Sequence, residues 1–229
     1  MKRYRFSLIV LLCCTCLACN DFLTEYSHDQ AYVQSYSDLD ELIIGSGYMK
    51  CAGTYDYTYY STAKETYYPY VHFMADETEV RNTGTYDYYG ESFLKMFYGF
   101  YTWQKDVDKD HEGTVGWTEN QDWINLYKHI NITNIILSQI DNQTIQTEND
   151  QRNVNRIKGE AHFLRGAYYF VLANLYGKPY SSISAKTDLA VPIKLTENIE
   201  DKVYTRATVE KTYEQVLEDL LTAEKHLKG

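Results

Sequence analysis

GEAHFLRGAYYF, residues 159–170, is the segment that is most informative about the fold, and LYGKP follows it at residues 175–179. The surrounding region, from about Asp150 to Gly177, repeats apolar residues every three or four positions, which is the spacing of an α-helix. Gly177 is typical of a helix C-terminus, and Pro179 prevents the helix from continuing. Two apolar faces predict a helix packed between neighbours. One face comprises Ile157, Ala161, Leu164, Tyr168, Leu172 and Leu175, and the other comprises Phe163, Ala167 and Phe170.

Further helices are predicted on both sides of this one. Apolar spacing predicts a helix from Trp123 to Ile140, and another that follows Thr208, a suitable N-cap, and continues to Leu227. Shorter helices are expected from Ser37 to Ile44 and from Ser92 to Phe100. The predicted fold class is therefore all-α, with a scaffold of tetratricopeptide-like helix hairpins and long irregular tyrosine-rich loops.

The irregular segments are long. Residues 47–104 are dense in tyrosine, glycine and threonine, and residues 178–207 form a connection that is unusually long between two helices. We expect this connection to carry function or to pack as an arm. The chain contains 24 tyrosines, whose rings suit half-exposed surfaces that hold sugars or proteins.

Residues 1–18 have the pattern of a secretory signal peptide, with three cations before a short apolar run. This run is shorter than the roughly 20 residues that a membrane-spanning helix needs. Leu17-Ala18-Cys19 resembles the bacterial lipobox, with Cys16 in place of the usual leucine, and this implies diacylglyceryl and palmitate-like acyl chains on Cys19. The alternative is an ordinary signal peptide with a chance cysteine. We therefore expect a signal peptide at 1–18 and a lipid-anchored domain at 19–229.

Charge and motifs argue against several classes of function. The formal net charge is −10, and removal of residues 1–18 with their three cations would leave −13. Such a charge disfavours nucleic acid and anionic lipid as partners. Only Cys51 follows Cys19, so no disulfide framework is expected. The sequence has no serine elbow, phosphate loop or HExxH motif, and we expect neither an enzyme nor a cofactor.

Aromatic residues are the candidates for ligand binding. Trp103 and Trp117 flank a polar loop and do not follow a helical stripe, so they are expected to be exposed. Tyr57, Tyr86 and Tyr88 lie in the tyrosine-rich region. Sugar rings present C–H faces that stack on flat aromatic rings, while nearby amides and acids bind hydroxyls. For any single one of these residues, ordinary packing is the alternative.

Asp106, Asp108 and Asp110 resemble the start of a calcium loop, because alternate aspartates supply the several oxygen ligands that Ca²⁺ requires. The EF-hand pattern fails, however, since His111 occupies its sixth position and Trp117 its twelfth. A solvated acidic loop is therefore favoured, and the three aspartates stay as a weak calcium candidate.

Arg165 lies on a mostly apolar helix, and a buried arginine must be compensated. We expect it to pair with a carboxylate such as Glu160 or to cap a backbone carbonyl. The aromatic residues of 159–170 are expected to fill the groove between helices, and Trp123, which falls on a helical face, is expected in the core. Residues 159–170 are thus interpreted as packing.

Residues 159–170 and 175–179 resemble the signature helix of the SusD/RagB family, outer-membrane lipoproteins of Bacteroidetes. Four other segments resemble family landmarks in the same order along the chain. They are CNDFL at 19–23, the helix from Trp123 to Asn134, LAVPI at 189–193, and the helix from Arg206 to Ala223. Family members are longer, so residues 19–229 are expected to form the N-terminal helical part of a longer protein.

The resemblance implies a cell-surface, glycan-binding lipoprotein that captures an oligosaccharide or similar nutrient and passes it to a TonB-dependent, SusC-like outer-membrane transporter. It implies three partners: this transporter, the oligosaccharide, and outer-membrane lipid through acylated Cys19. The helices would form the scaffold and contact the transporter, and the irregular segments would bind ligand. Alternatives are a helical-repeat envelope scaffold without sugar binding, a binder of peptide or glycoprotein nutrients, and, least favoured, a secreted hydrolase.

Overall fold

The computed structural model describes residues 33–49, 74–76, 99–100, 102–107 and 121–228. Four α-helices lie wholly within these ranges: α1 (Tyr36–Leu42), α2 (Gln121–Gln139), α3 (Glu148–Tyr176) and α4 (Val209–Leu227). A π-helix, Ile43–Gly47, continues α1, and a single 3₁₀ turn, Ile140–Asn142, continues α2. No strand occurs in the described ranges, which confirms the prediction of an all-α fold. The tetratricopeptide-like repeat stays a prediction.

Polar caps fix where the helices begin. Thr147 Oγ1 accepts a hydrogen bond from the Asp150 amide at 3.1 Å, and Asp150 Oδ2 accepts one from the Thr147 amide at 2.9 Å. This capping box satisfies two backbone amides, and it places the start of α3 two residues before Asp150. Thr208 caps α4 as predicted, because its hydroxyl accepts a hydrogen bond from the Lys211 amide at 3.2 Å.

Helices α2 and α3 pack side by side in opposite directions. Lys158 Nζ lies 2.6 Å from Asp141 Oδ1, and seven residues later Arg165 Nη1 lies 3.0 Å from Asn134 Oδ1. Residue numbers therefore rise along α3 as they fall along α2. The first predicted apolar face of α3 is buried, at Ile157, Ala161, Leu164, Tyr168 and Leu172.

Two glycines allow α3 and α4 to approach closely. A Cβ atom at Gly159 would lie 2.7 Å from Leu227 Cγ, and one at Gly166 would lie 3.3 Å from Leu220 Cγ. These pairs also show that α3 and α4 are antiparallel. The expectation that aromatic residues of 159–170 fill the space between helices holds for Tyr168 and Tyr169, which are buried. Phe163 and Phe170 lie at its edge, each 48% exposed.

The connection between α3 and α4, residues 178–207, folds back on itself and is called the arm. Its middle pairs with its C-terminal end, since the Ala190 amide donates to Ala207 O at 2.9 Å and the Ala207 amide donates to Val191 O at 3.0 Å. Ala185 and Ala190 pack with Val209 in a small core beside this pairing. The arm is therefore packed onto the helices, one of the two outcomes expected for it.

The short N-terminal helix was predicted at nearly the right place, although its last turn has π geometry. The predicted helix from Ser92 to Phe100 lies mostly outside the described residues. Within the part of the chain that the structure describes, no helix combines the length and the apolar character needed to cross a membrane.

Candidate functional site

Trp103 is the predicted ligand-binding residue that the structure describes. It lies in a tight turn, in which its amide donates to Phe100 O at 3.0 Å and the Gln104 amide donates to Gly99 O at 2.8 Å. Phe100 is buried, whereas Trp103 is 67% exposed. The turn therefore holds the indole in solvent, as expected from its place beside a polar loop.

The backbone of Trp103 is in the left-handed region, with φ of 56°. This conformation costs a residue with a side chain about 1–2 kcal/mol. The two hydrogen bonds of the turn have the pattern that ends many helices, in which the residue after the C-cap adopts this conformation, so the left-handed backbone belongs to the turn itself. Here the surrounding structure is closed at its base, because a Cβ atom at Gly99 would lie 2.2 Å from Val107 O. The described part of residues 99–107 is thus a closed turn, named the Trp103 turn.

The other predicted site residues have different outcomes. Asp106 is exposed on the Trp103 turn, and its role in calcium binding stays a prediction. Among the described residues, no group of three acidic, histidine or cysteine side chains is placed to hold a metal ion. The remaining candidates lie outside the described residues: Cys19, Tyr57, Tyr86, Tyr88, Trp117, Asp108 and Asp110.

Polar side chains of α2 and α3 hold the base of the arm by its backbone. Asn134 Nδ2 donates to Lys194 O at 3.0 Å and to Thr196 O at 3.3 Å. Tyr169 OH donates to Lys194 O and accepts from the Lys194 amide, both at 2.8 Å. Burial raises the pKa of Tyr169 to about 12, so the hydroxyl stays protonated and can make both bonds.

The next contacts along the arm are aromatic and cationic. Tyr127 OH donates to Pro192 O at 2.6 Å. Trp123 packs against Tyr127 and Tyr176, with ring centroids 4.9 and 5.1 Å away. Arg206 lies 5.8 Å from the Trp123 ring centroid and donates to Tyr176 O at 2.9 Å. Trp123 is thus half-buried packing between helices and arm, and it lies outside the buried core in which it was expected.

Arg165 is at the centre of a buried polar cluster. Its Nε and Nη2 atoms bind the two carboxylate oxygens of Asp219 at 3.0 and 2.7 Å, and Nη1 donates to Asn134 Oδ1 at 3.0 Å. The Asp219 carboxylate is also 2.8 Å from His162 Nδ1 and 3.2 Å from Gln215 Nε2. This bidentate, charge-assisted arrangement joins α2, α3 and α4.

The Asp219 carboxyl is ionised in this cluster. Burial raises its pKa, but hydrogen bonds from His162 and Arg165 outweigh burial and hold the pKa below its ordinary value. Arg165 therefore has a carboxylate partner, as expected, but Glu160 was the wrong candidate. Glu160 lies five residues earlier on α3, about 140° around the helix. It accepts a hydrogen bond from Arg156 at 3.1 Å.

Sequence reasoning missed the side chains that hold the arm. Asn134 lies at helical spacing from Ile130 and Leu126 and is buried like them, and an amide in such a stripe signals an internal hydrogen bond. Its acceptors lie 60 and 62 residues away in sequence, so the pattern alone did not identify them. For Tyr169 and Arg206, the sequence carried no signal that separates arm contacts from ordinary packing.

The fold is similar to solved structures from Bacteroides. A Bacteroides vulgatus protein aligns with a TM-score of 0.59 at 21% identity, over 86% of this chain and 38% of its own. A SusD superfamily protein from Bacteroides fragilis aligns at 0.55 and 22%, over 83% and 39%. A SusD-like carbohydrate binding protein from Bacteroides vulgatus aligns at 0.55 and 23%, over 84% and 36%. The chain therefore spans less than two fifths of these structures.

Sequence comparison identifies the family. No curated protein matches the sequence. A family model named SusD-like, and described as starch-binding and associating with the outer membrane, matches residues 64–228. The match covers well over half of the chain and agrees with the resemblance of its signature helix. This chain therefore belongs to the SusD-like family.

Proposed function

We propose that this protein binds carbohydrate at the outer membrane and that Trp103 is part of its ligand-binding surface. The exposed indole of Trp103, held on a turn that backbone hydrogen bonds close, is the observation that carries the proposal. The family description, starch-binding and associating with the outer membrane, supports both the ligand class and the location. A binding role is favoured over catalysis for the same reason.

The Trp103 turn has the chemistry that a sugar requires. An exposed indole face can stack on the C–H face of a pyranose ring. Gln104 and Lys105, which follow Trp103 in sequence and are also exposed, carry amide and ammonium groups that can bind sugar hydroxyls. Because backbone hydrogen bonds already fix the turn, little conformational entropy is lost when a ligand binds.

Trp103→Ala is expected to weaken binding of starch oligosaccharides about tenfold, equivalent to about 1.4 kcal/mol, because it removes the stacking surface. Isothermal titration against a panel of soluble glycans measures the effect. Trp103→Phe retains a smaller ring and should retain part of the affinity. Tyr180→Ala, at an aromatic residue that is 56% exposed on the arm, is the matched control and should bind as the wild type does.

Two outcomes would contradict this assignment. Wild-type affinity in Trp103→Ala would show that the ligand binds elsewhere. Absence of binding to every glycan in the panel would contradict carbohydrate as the ligand, and a peptide or glycoprotein panel would then test the alternative nutrients.

We further propose that acyl chains on Cys19 anchor the protein at the cell surface and that it passes its ligand to a TonB-dependent, SusC-like transporter. The lipobox-like sequence and the family membership support these steps. We expect Cys19→Ala to move the protein from the membrane fraction to the soluble fraction, with Cys51→Ala as control. Co-purification of an outer-membrane transporter with the wild type tests the hand-over, and its absence from gentle detergent extracts would contradict that step.

A further inference from the structure

The far end of the arm, residues 195–205, is named the arm tip, and side-chain bonds hold it in one shape. Glu200 accepts hydrogen bonds from Thr196 Oγ1 at 3.3 Å and from Tyr204 OH at 2.5 Å. At its base, Lys194 Nζ donates to Asn198 O at 2.6 Å. Thr196, Glu200 and Tyr204, spaced four residues apart, are therefore linked by hydrogen bonds across the arm tip.

Aliphatic side chains project from this closed segment into solvent. Ile199 is 96% exposed, Val203 is 89% exposed and Leu195 is 43% exposed. Each of these aliphatic residues directly precedes one of the three hydrogen-bonded residues, so one short segment carries all three aliphatic side chains. A single exposed aliphatic residue is ordinary, but several in one fixed segment are typical of an interaction surface. Branched aliphatic groups lack the flat face on which a sugar ring stacks.

The arm tip is held in place before any partner binds. Asn134 and Tyr169, from two different helices, bind the arm backbone at Lys194, one residue before the tip. A surface fixed in this way loses little conformational entropy on association.

Charge around the aliphatic side chains is predominantly negative. Three carboxylates, Glu197, Glu200 and Asp201, face two nearby cations. The Lys202 ammonium lies over the Tyr204 ring, 4.9 Å from its centroid, and the Lys194 ammonium donates to Asn198 O. The hydrogen bond from Tyr204 lowers the pKa of Glu200, so this carboxylate stays ionised at neutral pH. Acidic groups of this kind repel anionic lipid and attract lysine or arginine.

We propose that the arm tip is a docking site for a protein partner that receives Ile199 and Val203 in an apolar pocket bordered by lysine or arginine side chains. The partner's cations would face Glu197 and Asp201 at the rim of the contact. Charge complementarity of this kind sets specificity and association rate, while the buried aliphatic groups supply affinity. The proposal does not rest on carbohydrate binding, because the arm tip shares no residue with the Trp103 turn.

Photo-crosslinking in the native outer membrane tests the proposal with the full chain. Benzoylphenylalanine replaces Ile199 or Val203, and Ile183, which is 95% exposed on the same arm, is the matched control position. We expect a protein adduct from positions 199 and 203 and none from 183. Mass spectrometry of the adduct should identify a partner peptide with apolar residues and neighbouring lysine or arginine.

A charge test accompanies the crosslinking. Glu197→Lys combined with Asp201→Lys should lower the adduct yield from position 199 about tenfold, whereas Lys202→Glu should leave it unchanged or raise it. Thermal unfolding of the same variants establishes that they fold. The proposal is overturned if no protein adduct forms, or if adducts form equally at 183. It is also overturned if they join the arm tip to lipid, glycan or the same polypeptide, or if charge reversal leaves the yield unchanged.

Discussion

Asp219→Asn should lower the free energy of unfolding by about 3–5 kcal/mol, because it leaves the guanidinium of Arg165 buried without a counter-charge. Asp219 is 1% exposed and Arg165 is 7% exposed, so water does not compensate for the lost carboxylate. The asparagine side chain retains the shape of the aspartate, so the effect reports charge and hydrogen bonding more than packing. Urea unfolding followed by circular dichroism at pH 7 measures it.

The same substitution should change how stability depends on pH. The pKa of Asp219 lies below its ordinary value of 3.8 in the folded protein, whereas the unfolded chain has the ordinary value. The stability that this carboxylate contributes is therefore fully present above 3.8 and is lost as the pH falls below 3.8 through the folded pKa. The difference in stability between the wild type and Asp219→Asn should shrink in that acidic range.

The neighbouring residue supplies the control. Glu218 is exposed on α4, and Glu218→Gln should change the free energy of unfolding by less than about 0.5 kcal/mol. Replacing both charges of the pair, as in Arg165→Met with Asp219→Leu, should recover part of the stability lost in Asp219→Asn. A loss below about 1 kcal/mol in Asp219→Asn would show that the buried ion pair is not the main connection among the three helices.

Gly166→Val should destabilise the protein by about 2–4 kcal/mol through overpacking between α3 and α4. A Cβ atom at Gly166 would already lie 3.2 Å from Asp219 Cβ and 3.3 Å from Leu220 Cγ, and valine adds two methyl groups beyond it. The helices must separate, which also disturbs the pairing of Asp219 with Arg165. Differential scanning calorimetry of the variant and the wild type measures the loss.

Gly45 is the matched control for this substitution. It also lies in a helical segment, but a Cβ atom there meets nothing within 4 Å. Gly45→Val should therefore change the free energy of unfolding by less than about 1 kcal/mol, since only intrinsic helical preference changes. Equal losses at the two positions would mean that close helix approach does not explain the glycine at 166.

Local signals in the sequence predicted the helices well. Apolar spacing and the caps at Thr208 and Gly177 placed α3 and α4 to within a few residues, because these features act over one or two helical turns. The partner of Arg165 was missed because Asp219 lies 54 residues away, on a different helix. The half-exposure of Phe163 and Phe170 was missed because apolar spacing does not show how closely α3 and α4 approach at Gly159 and Gly166.

The candidate site was predicted only in part. Exposure of Trp103 followed from its place outside any helical stripe, but its left-handed backbone did not, because residues other than glycine rarely adopt that conformation. The arm could be recognised as long, yet its attachment depends on Asn134 and Tyr169 meeting backbone atoms far away in sequence. Such contacts arise only after the helices have assembled.

The orientation of the Asn134 amide also determines the register in which the arm backbone packs against the helices. Its oxygen is occupied by the Arg165 guanidinium, which accepts no hydrogen bonds, so the NH₂ group must face the arm. There it meets the carbonyls of residues 194 and 196, which are two positions apart and so share one side of an extended chain. A slip of one residue would turn both carbonyls away. A single oriented amide thus specifies the register of an extended segment that no strand among the described residues aligns.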